Sequence, residues 1–385
     1  MTKEFLNAVV VLPDQLLNGG IRVREDVIDE VLESSNTSPA NAVANAVDFE
    51  GDYLIPGLIE LHTDNMERHL IPRPKTFWPN VMAAAVAHDA EMAASGVTTV
   101  FDSTRVGAIP NEDKPQNRLF MELQQAIHDA HHAGVFRINH RLHFRCELTD
   151  PKLMAAVEPA VDAPLLGLVS LMDHTPGQRQ WRDLDALRRH NSRSERSDAE
   201  VERMIQERIR QGNEHVSSNR AKVLDRFQHH VGLVLASHDD TTEQHVLDGV
   251  RDGVLISEFP CSLVAAQCAK EQGLFTIAGA PNVVRGGSHS GNVSAMELID
   301  AGLLDGLSSD YVPSSLLQAV FIIASRDNWN LPKAVALVTS NNATMANLHD
   351  RGAIQTGMRA DFVRVAVVND TPIVREVYVG GRRVA

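Results

Sequence analysis

The sequence predicts an α/β protein: eight parallel strands and their helices closed into a barrel, with a small β domain drawn from both chain ends. Three observations lead there. Eight apolar, strand-like runs alternate with helix-length segments through the middle of the chain, and eight strands close such a barrel. Both ends read instead as short strands joined by tight turns. At 385 residues the chain exceeds one barrel by enough to call for a second small domain.

The N-terminal stretch contains NAVVVL, GGIRV and DVIDEV; the C-terminal stretch contains AIQTGMRADFVRVAVV and IVREVYVGGRRV, with glycine at the turns. Residues 1–53 and 352–385 are therefore assigned to the small β domain and 54–351 to the barrel. The barrel runs are LIPGLIELHTD (54–64), GVTTVFDST (96–104), INHRLHFRCEL (138–148) and LLGLVSLMDH (165–174). They continue with VGLVLASHDD (231–240), GVLISEFP (253–260), LFTIAGAPNVV (274–284) and LDGLSSDYVP (304–313). Several are continuously apolar, as strands covered on both faces must be. Between the fourth and fifth runs lies RDLDALRRHNSRSERSDAEVERMIQERIRQ, which reads as helices with a solvated Arg/Glu face. Residues 177–228 are assigned to a helical insertion, either a plain exposed excursion or a lid.

Hydrophobic residues at 43% and charged residues at 22% are ordinary for a soluble globular protein. A formal net charge of −14 argues against a nucleic-acid or anionic-membrane binder, whose phosphates an acidic surface repels. It permits a small anionic substrate in a locally basic pocket. The three cysteines, Cys146, Cys261 and Cys268, form no C-x-x-C pair and no disulfide framework. The opening MTKEFLNAVVVLPDQ is too short an apolar run for a secretory signal, and no run reaches the roughly 18 apolar residues of a membrane helix. A cytoplasmic location is expected, and a homodimer.

The chemistry gathers at strand ends. His62-Thr63-Asp64 closes the first run, and residues i and i+2 of a strand share a face, so one imidazole and one carboxylate point the same way. In the third run Arg141, His143, Arg145 and Glu147 alternate with apolar residues. Burying four ionisable groups is costly unless they pair or bind a metal or charged ligand. Glu147, nearest the strand end, is a candidate ligand able to bridge two ions, or else the salt-bridge partner of Arg145. His174, His238 and Asp310 end three further runs, and Asp173, Asp239 and Asp240 stand beside the histidines as acceptors that fix ring orientation. Five strand ends bearing His, Asp or Glu are hard to explain as packing, because each would need its own buried partner. Imidazole and carboxylate donors suit divalent zinc, and also manganese or iron. Asp310, at the last strand end, is placed to act as general base.

After the seventh run the chain reads NVVRGGSHSGN, with Arg285, Gly286, Gly287, Ser288 and His289. Glycines let backbone N–H groups approach an anion, and Arg, Ser and His add donors. A plain glycine turn would read the same way. Arg73 and Lys75 after the first run, and Arg179 after the fourth, add positive charge at the same mouth.

LIPGLIELHTDN, the LMDH, ASHDD and SSDY strand ends and the C-terminal GAIQTGMRADFV together resemble the amidohydrolase superfamily across nearly the whole chain. The resemblance implies a distorted TIM (β/α)8 barrel with a small β-sandwich domain formed from both chain termini. It implies one or two divalent metals held by His62, Asp64, Glu147, His174, His238 and Asp310. The family's usual first motif is H-x-H, where this chain has His62-x-Asp64, and Glu147 stands where a carboxylated lysine often bridges the metals. ELHTDN, PRPKTFWP, HRLHFRCEL, VSLMDHTPGQRQ, ASHDDTTEQHV, GAPNVVRGGSHSGN and SSDYVPSSLL resemble a branch of that family acting in phosphonate catabolism. That likeness implies hydrolysis of a ribosyl phosphonate 5-triphosphate, a small polyanionic phosphorylated sugar, with release of pyrophosphate. The other reading is a C–N hydrolase, an amidase or nucleobase deaminase, on the same scaffold.

Overall fold

The computed structural model describes residues 2–34, 46–73, 76–108, 116–191, 197–288 and 291–385. The chain opens with β1 (Thr2–Val11), β2 (Leu16–Arg24), β3 (Val27–Glu33), β4 (Ala46–Asp48) and β5 (Tyr53–Pro56). Then come β6 (Leu58–Thr63), β7 (Val97–Val106), β8 (Asn139–Glu147), β9 (Leu166–Met172) and β10 (Val234–His238). β11 (Ile256–Glu258), β12 (Phe275–Gly279) and β13 (Gly306–Ser308) follow, and β14 (Phe362–Val368), β15 (Thr371–Val379) and β16 (Arg382–Arg383) close the chain.

Strands β6 to β13 form one parallel sheet in sequential order, and Thr63 bridges Asp310 in parallel so that the barrel nearly closes. Each of the eight predicted runs overlaps one of these strands. β9 is buried along its whole length and β7 at every residue except Arg105, as strands covered on both faces require. The second sheet draws on both termini in the order β16-β15-β14-β5-β1-β2-β3, with β4 also on β1. It packs an aromatic core in which Phe5 meets Phe362 edge-on at 4.8 Å and Phe362 stacks on Tyr378 at 4.6 Å.

The run at 54–64 is two strands, not one. Residues 53–56 belong to the terminal sheet and 58–63 to the barrel, and Gly57 is the junction. A Cβ there would stand 2.2 Å from Thr98 Oγ1, so only glycine lets the chain pass so close. The run at 274–284 also divides: the strand ends at Gly279 and Ala280–Arg285 is helical. Pro281 in the first turn favours that helix, and Gly286 in the left-handed conformation (φ 77°) ends it.

By its contacts the chain divides into two compact units. The first comprises Met1–Asp102, Ala130–Arg141 and Gly306–Ala385; the second comprises Ser103–Asp129 and Leu142–Asp305. The segment between β9 and β10 belongs to the second unit and forms helices Leu184–Asn191 and Asp198–Phe227. The longer helix starts in a capping box of Ser197 and Glu200 and buries Val201, Met204 and Ile205 against Leu187. Farther along it, Asn219 donates to the carbonyls of Leu148 (2.9 Å) and Asp150 (2.8 Å), just beyond the end of β8. No described helix is long and apolar enough to cross a membrane.

Candidate active site

In the first unit the ends of β6 and β13 are laced together. Asp310 N–H donates to the His62 carbonyl (3.1 Å), and Asp64 N–H and Thr63 Oγ1 both donate to the Asp310 carbonyl (2.7 and 3.1 Å). The backbone thus brings together three predicted ligands, His62, Asp64 and Asp310. His62 is buried, while Asp64 and Asp310 are partly open. Asp310 sits in the left-handed region with φ 54°, as do Asp239 (56°) and Phe259 (53°), each just past the end of a strand. Such conformations cost about 1 kcal/mol or more per residue and collect where side chains must be aimed.

In the second unit Glu147 closes β8 fully buried, accepting from Thr149 Oγ1 (2.6 Å) and facing His174 Nδ1. Burial alone would raise its pKa; the charge on His174 outweighs that and holds Glu147 at about 2. The His174 and His238 rings meet edge-on at 5.9 Å, and one ligand atom from each of His174, His238 and Asp239 lies within 4.8 Å of the others. Among the described residues, the clusters placed to hold an ion contain His, Asp and Glu and no cysteine. This is an imidazole and carboxylate donor set, which fits a divalent ion of the zinc, manganese or iron kind.

Two predicted ring-orienting acceptors lie elsewhere. Asp239 Oδ2 does face His238 Nε2 at 3.5 Å. Asp173, however, accepts from Thr175 and Gln178 and so shapes its own turn. Asp240 accepts from Ser237, Ser257 (2.8 Å) and Arg179 (2.8 Å). Glu258, at the end of β11, was not singled out by the sequence. It is fully buried, accepts from Ser170 Oγ (2.5 Å), and stands 3.4 Å from His238 Nδ1. A strand-end carboxylate in ISEFP is the same signal that marks Glu147.

The predicted basic groups separate by environment. Arg179 is buried, with φ 48°, and its Nη1 donates to the His238 carbonyl (2.7 Å) and to Asp240. Arg145 is half-buried on β8. Arg73 and Arg285 are exposed, as is Gly286, while Gly287 and Ser288 are partly covered. Lys75 and His289 lie outside the described residues.

The nearly closed parallel barrel carries ligand-type side chains at the ends of its strands. The amidohydrolase family model matches residues 53–384, and the chain belongs to that family. It is 41% identical over 361 residues to the alpha-D-ribose 1-methylphosphonate 5-triphosphate diphosphatase of Escherichia coli (strain K12), covering 93% of each chain. Among solved structures it is similar to 5-methylcytosine deaminase from Klebsiella pneumoniae, with TM-score 0.67, 14% identity, and 99% and 97% of the two chains covered. N-acetylglucosamine-6-phosphate deacetylase from Pasteurella multocida gives TM-score 0.63 and 11% identity, covering 100% and 99%. At such identities these structures share the fold and say nothing of the reaction.

Proposed function

We propose that this enzyme hydrolyses alpha-D-ribose 1-methylphosphonate 5-triphosphate to the 5-phosphate and pyrophosphate. The observation that carries this reading is the 41% identity to the Escherichia coli diphosphatase along 93% of both chains. We further propose that His62, Asp64, Glu147, His174, His238 and Asp310 hold divalent metal, two ions with zinc the preferred element. Each is at or just past the C-terminal end of a strand of the parallel sheet, the edge where barrels of this kind place their chemistry. Their donor atoms fit such ions.

When bound, a divalent ion supplies the Lewis acidity that brings the pKa of water toward neutrality. Asp310 accepts the proton of the attacking water, and its backbone is bonded to the β6 end at His62 and Asp64. Arg285 and the Gly286–Gly287–Ser288–His289 loop, with Arg73, Lys75 and Arg145, meet the triphosphate and neutralise charge building on the leaving pyrophosphate. Arg179 is proposed to act from behind, holding the His238 strand end through its carbonyl.

The test is release of pyrophosphate from the ribosyl phosphonate triphosphate by wild type and by Asp310→Asn. Turnover is expected in the wild type, falling about 10²- to 10⁴-fold in the variant while bound metal is largely retained. Ammonia release from an amide or nucleobase, with no pyrophosphate from the triphosphate, would instead assign the chain to C–N hydrolysis.

A further inference from the structure

Glu60 lies in β6, two residues before His62, and is fully buried. Its carboxylate reaches backward along no ion pair: among the described residues no Lys, Arg or His side chain lies within salt-bridge distance of it. It binds main chain instead. Oε1 accepts the N–H of His62 at 2.6 Å, and Oε2 accepts the N–H of Ser309 at 2.6 Å. Both bonds are short. One carboxylate therefore links two chain segments far apart in sequence, gripping a predicted ligand directly on one and the residue preceding Asp310 on the other. Just beyond this grip come the Asp310 to His62 and Asp64 to Asp310 backbone bonds.

Burying a carboxyl group with no cation beside it is expensive. A hydrophobic residue would fill the same space in a barrel core without that cost. It would, however, leave the two N–H groups without acceptors, and the seam between β6 and β13 without a cross-link.

We propose that Glu60 is a positioning residue for the metal site: its two oxygens fix the spacing of the β6 and β13 ends, and so set where His62 and Asp310 present their ligand atoms. This rests on the assignment of His62 and Asp310 as ligands made above. Each oxygen of Glu60 is engaged by a backbone N–H, so the role proposed for it runs through the backbone it holds.

Glu60→Gln separates this from a filling role. Glutamine has the same shape but one acceptor oxygen, so its NH2 must face one of the two N–H donors and that bond is lost. Zinc affinity, measured on metal-free protein by competition with a fluorescent chelator, is expected to fall about 10- to 100-fold. Turnover of the ribosyl phosphonate triphosphate should fall with kcat while KM stays within about twofold, because the phosphate-binding groups are untouched. Zinc affinity and kcat both within twofold of wild type overturn the proposal. If the variant does not fold, amide NMR of the metal-free wild type decides. Slowly exchanging, strongly downfield His62 and Ser309 protons support the clamp; ordinary shifts with rapid exchange refute it. A wild type inactive on the triphosphate counts against the proposed reaction, while the affinity and amide measurements still judge Glu60.

Discussion

The imidazole of His140 donates Nδ1 to Asp102 Oδ2 across 2.7 Å, and both side chains are closed to water. The other ring nitrogen faces Asp89 Oδ1 at 3.3 Å, so the ring lies between two carboxylates. Burial would lower the pKa of His140, but the Asp102 charge outweighs it and raises the group to about 9. Burial would likewise raise Asp102, and His140 outweighs that, holding it at about 2. His88 Nε2 donates to the other Asp102 oxygen at 2.9 Å, while its Nδ1 takes the Asn65 amide at 3.2 Å. That leaves His88 neutral, in line with burial lowering its pKa.

A histidine raised above its unfolded value of about 6.5 stabilises fully below that pH, and the contribution fades as pH rises through 9. Asp102 acts at the other extreme: its contribution is present above about pH 3.9 and is lost as pH falls toward 2. Thermal melts of the metal-free protein should therefore show Tm falling between pH 6.5 and 9. His140→Gln should lower stability by about 3–5 kcal/mol near neutrality, by leaving Asp102 buried without its cation, and should flatten that slope. An unchanged slope in the variant would show that His140 is not the group responsible.

Glu147 and His174 make a second prediction, about metal. The charge on His174 holds Glu147 low, and a divalent ion would take over that role. Chelation should abolish turnover, and zinc, manganese or ferrous iron added back should restore it. Glu147→Gln keeps the shape, removes the charge, and should reduce bound metal in elemental analysis about 10-fold or more at fixed free ion. Full metal occupancy in this variant would remove Glu147 from the ligand set.

Arg179 and Arg285 should fail in different ways when changed. The buried guanidinium of Arg179 holds the His238 carbonyl and Asp240, so Arg179→Met leaves a buried carboxylate without its cation. It should lower Tm and kcat while changing KM little. Arg285 is exposed in the last turn of its helix, and its proposed role is to meet substrate. Arg285→Ala should raise KM about tenfold, for loss of one charge-assisted bond of about 1.4 kcal/mol, with a smaller drop in Tm than Arg179→Met causes. The reverse assignment of effects would exchange the two roles.

These contrasts mark what the sequence discloses. The barrel was legible because buried parallel strands write themselves as apolar runs, and the candidate ligands because His, Asp and Glu are conspicuous where such runs stop. Arg179 looked like a free cation because its partner Asp240 is 61 positions away and nothing local announces the pairing. Asp102 is one polar residue in a strand of threonines and serines, and its meaning comes from His140, 38 positions on, and His88 in a helix. Glu60 reads as an inward polar residue of a strand; only the fold shows that it binds two backbone amides. Long-range pairing of buried polar groups is the part that periodicity cannot encode.

Gly212 sets two ordinary rules against each other. It sits inside the helix Asp198–Phe227, where alanine is normally better by about 1 kcal/mol. Yet a Cβ at this position would stand 2.0 Å from Thr175 Oγ1 and 2.9 Å from Thr175 Cβ. Thr175 is buried and cannot swing aside cheaply, because its hydroxyl and its N–H both bind Asp173 Oδ1. It also follows His174 directly, so pushing it moves the residue that faces Glu147. The clash should win. Gly212→Ala is expected to destabilise the protein by about 1–3 kcal/mol, the range for overpacking, and to lower kcat through His174. Urea unfolding and pyrophosphate release measured on the same preparation check both parts. A variant as stable and active as wild type would mean that the helix does not rest on Thr175 as closely as the structure places it.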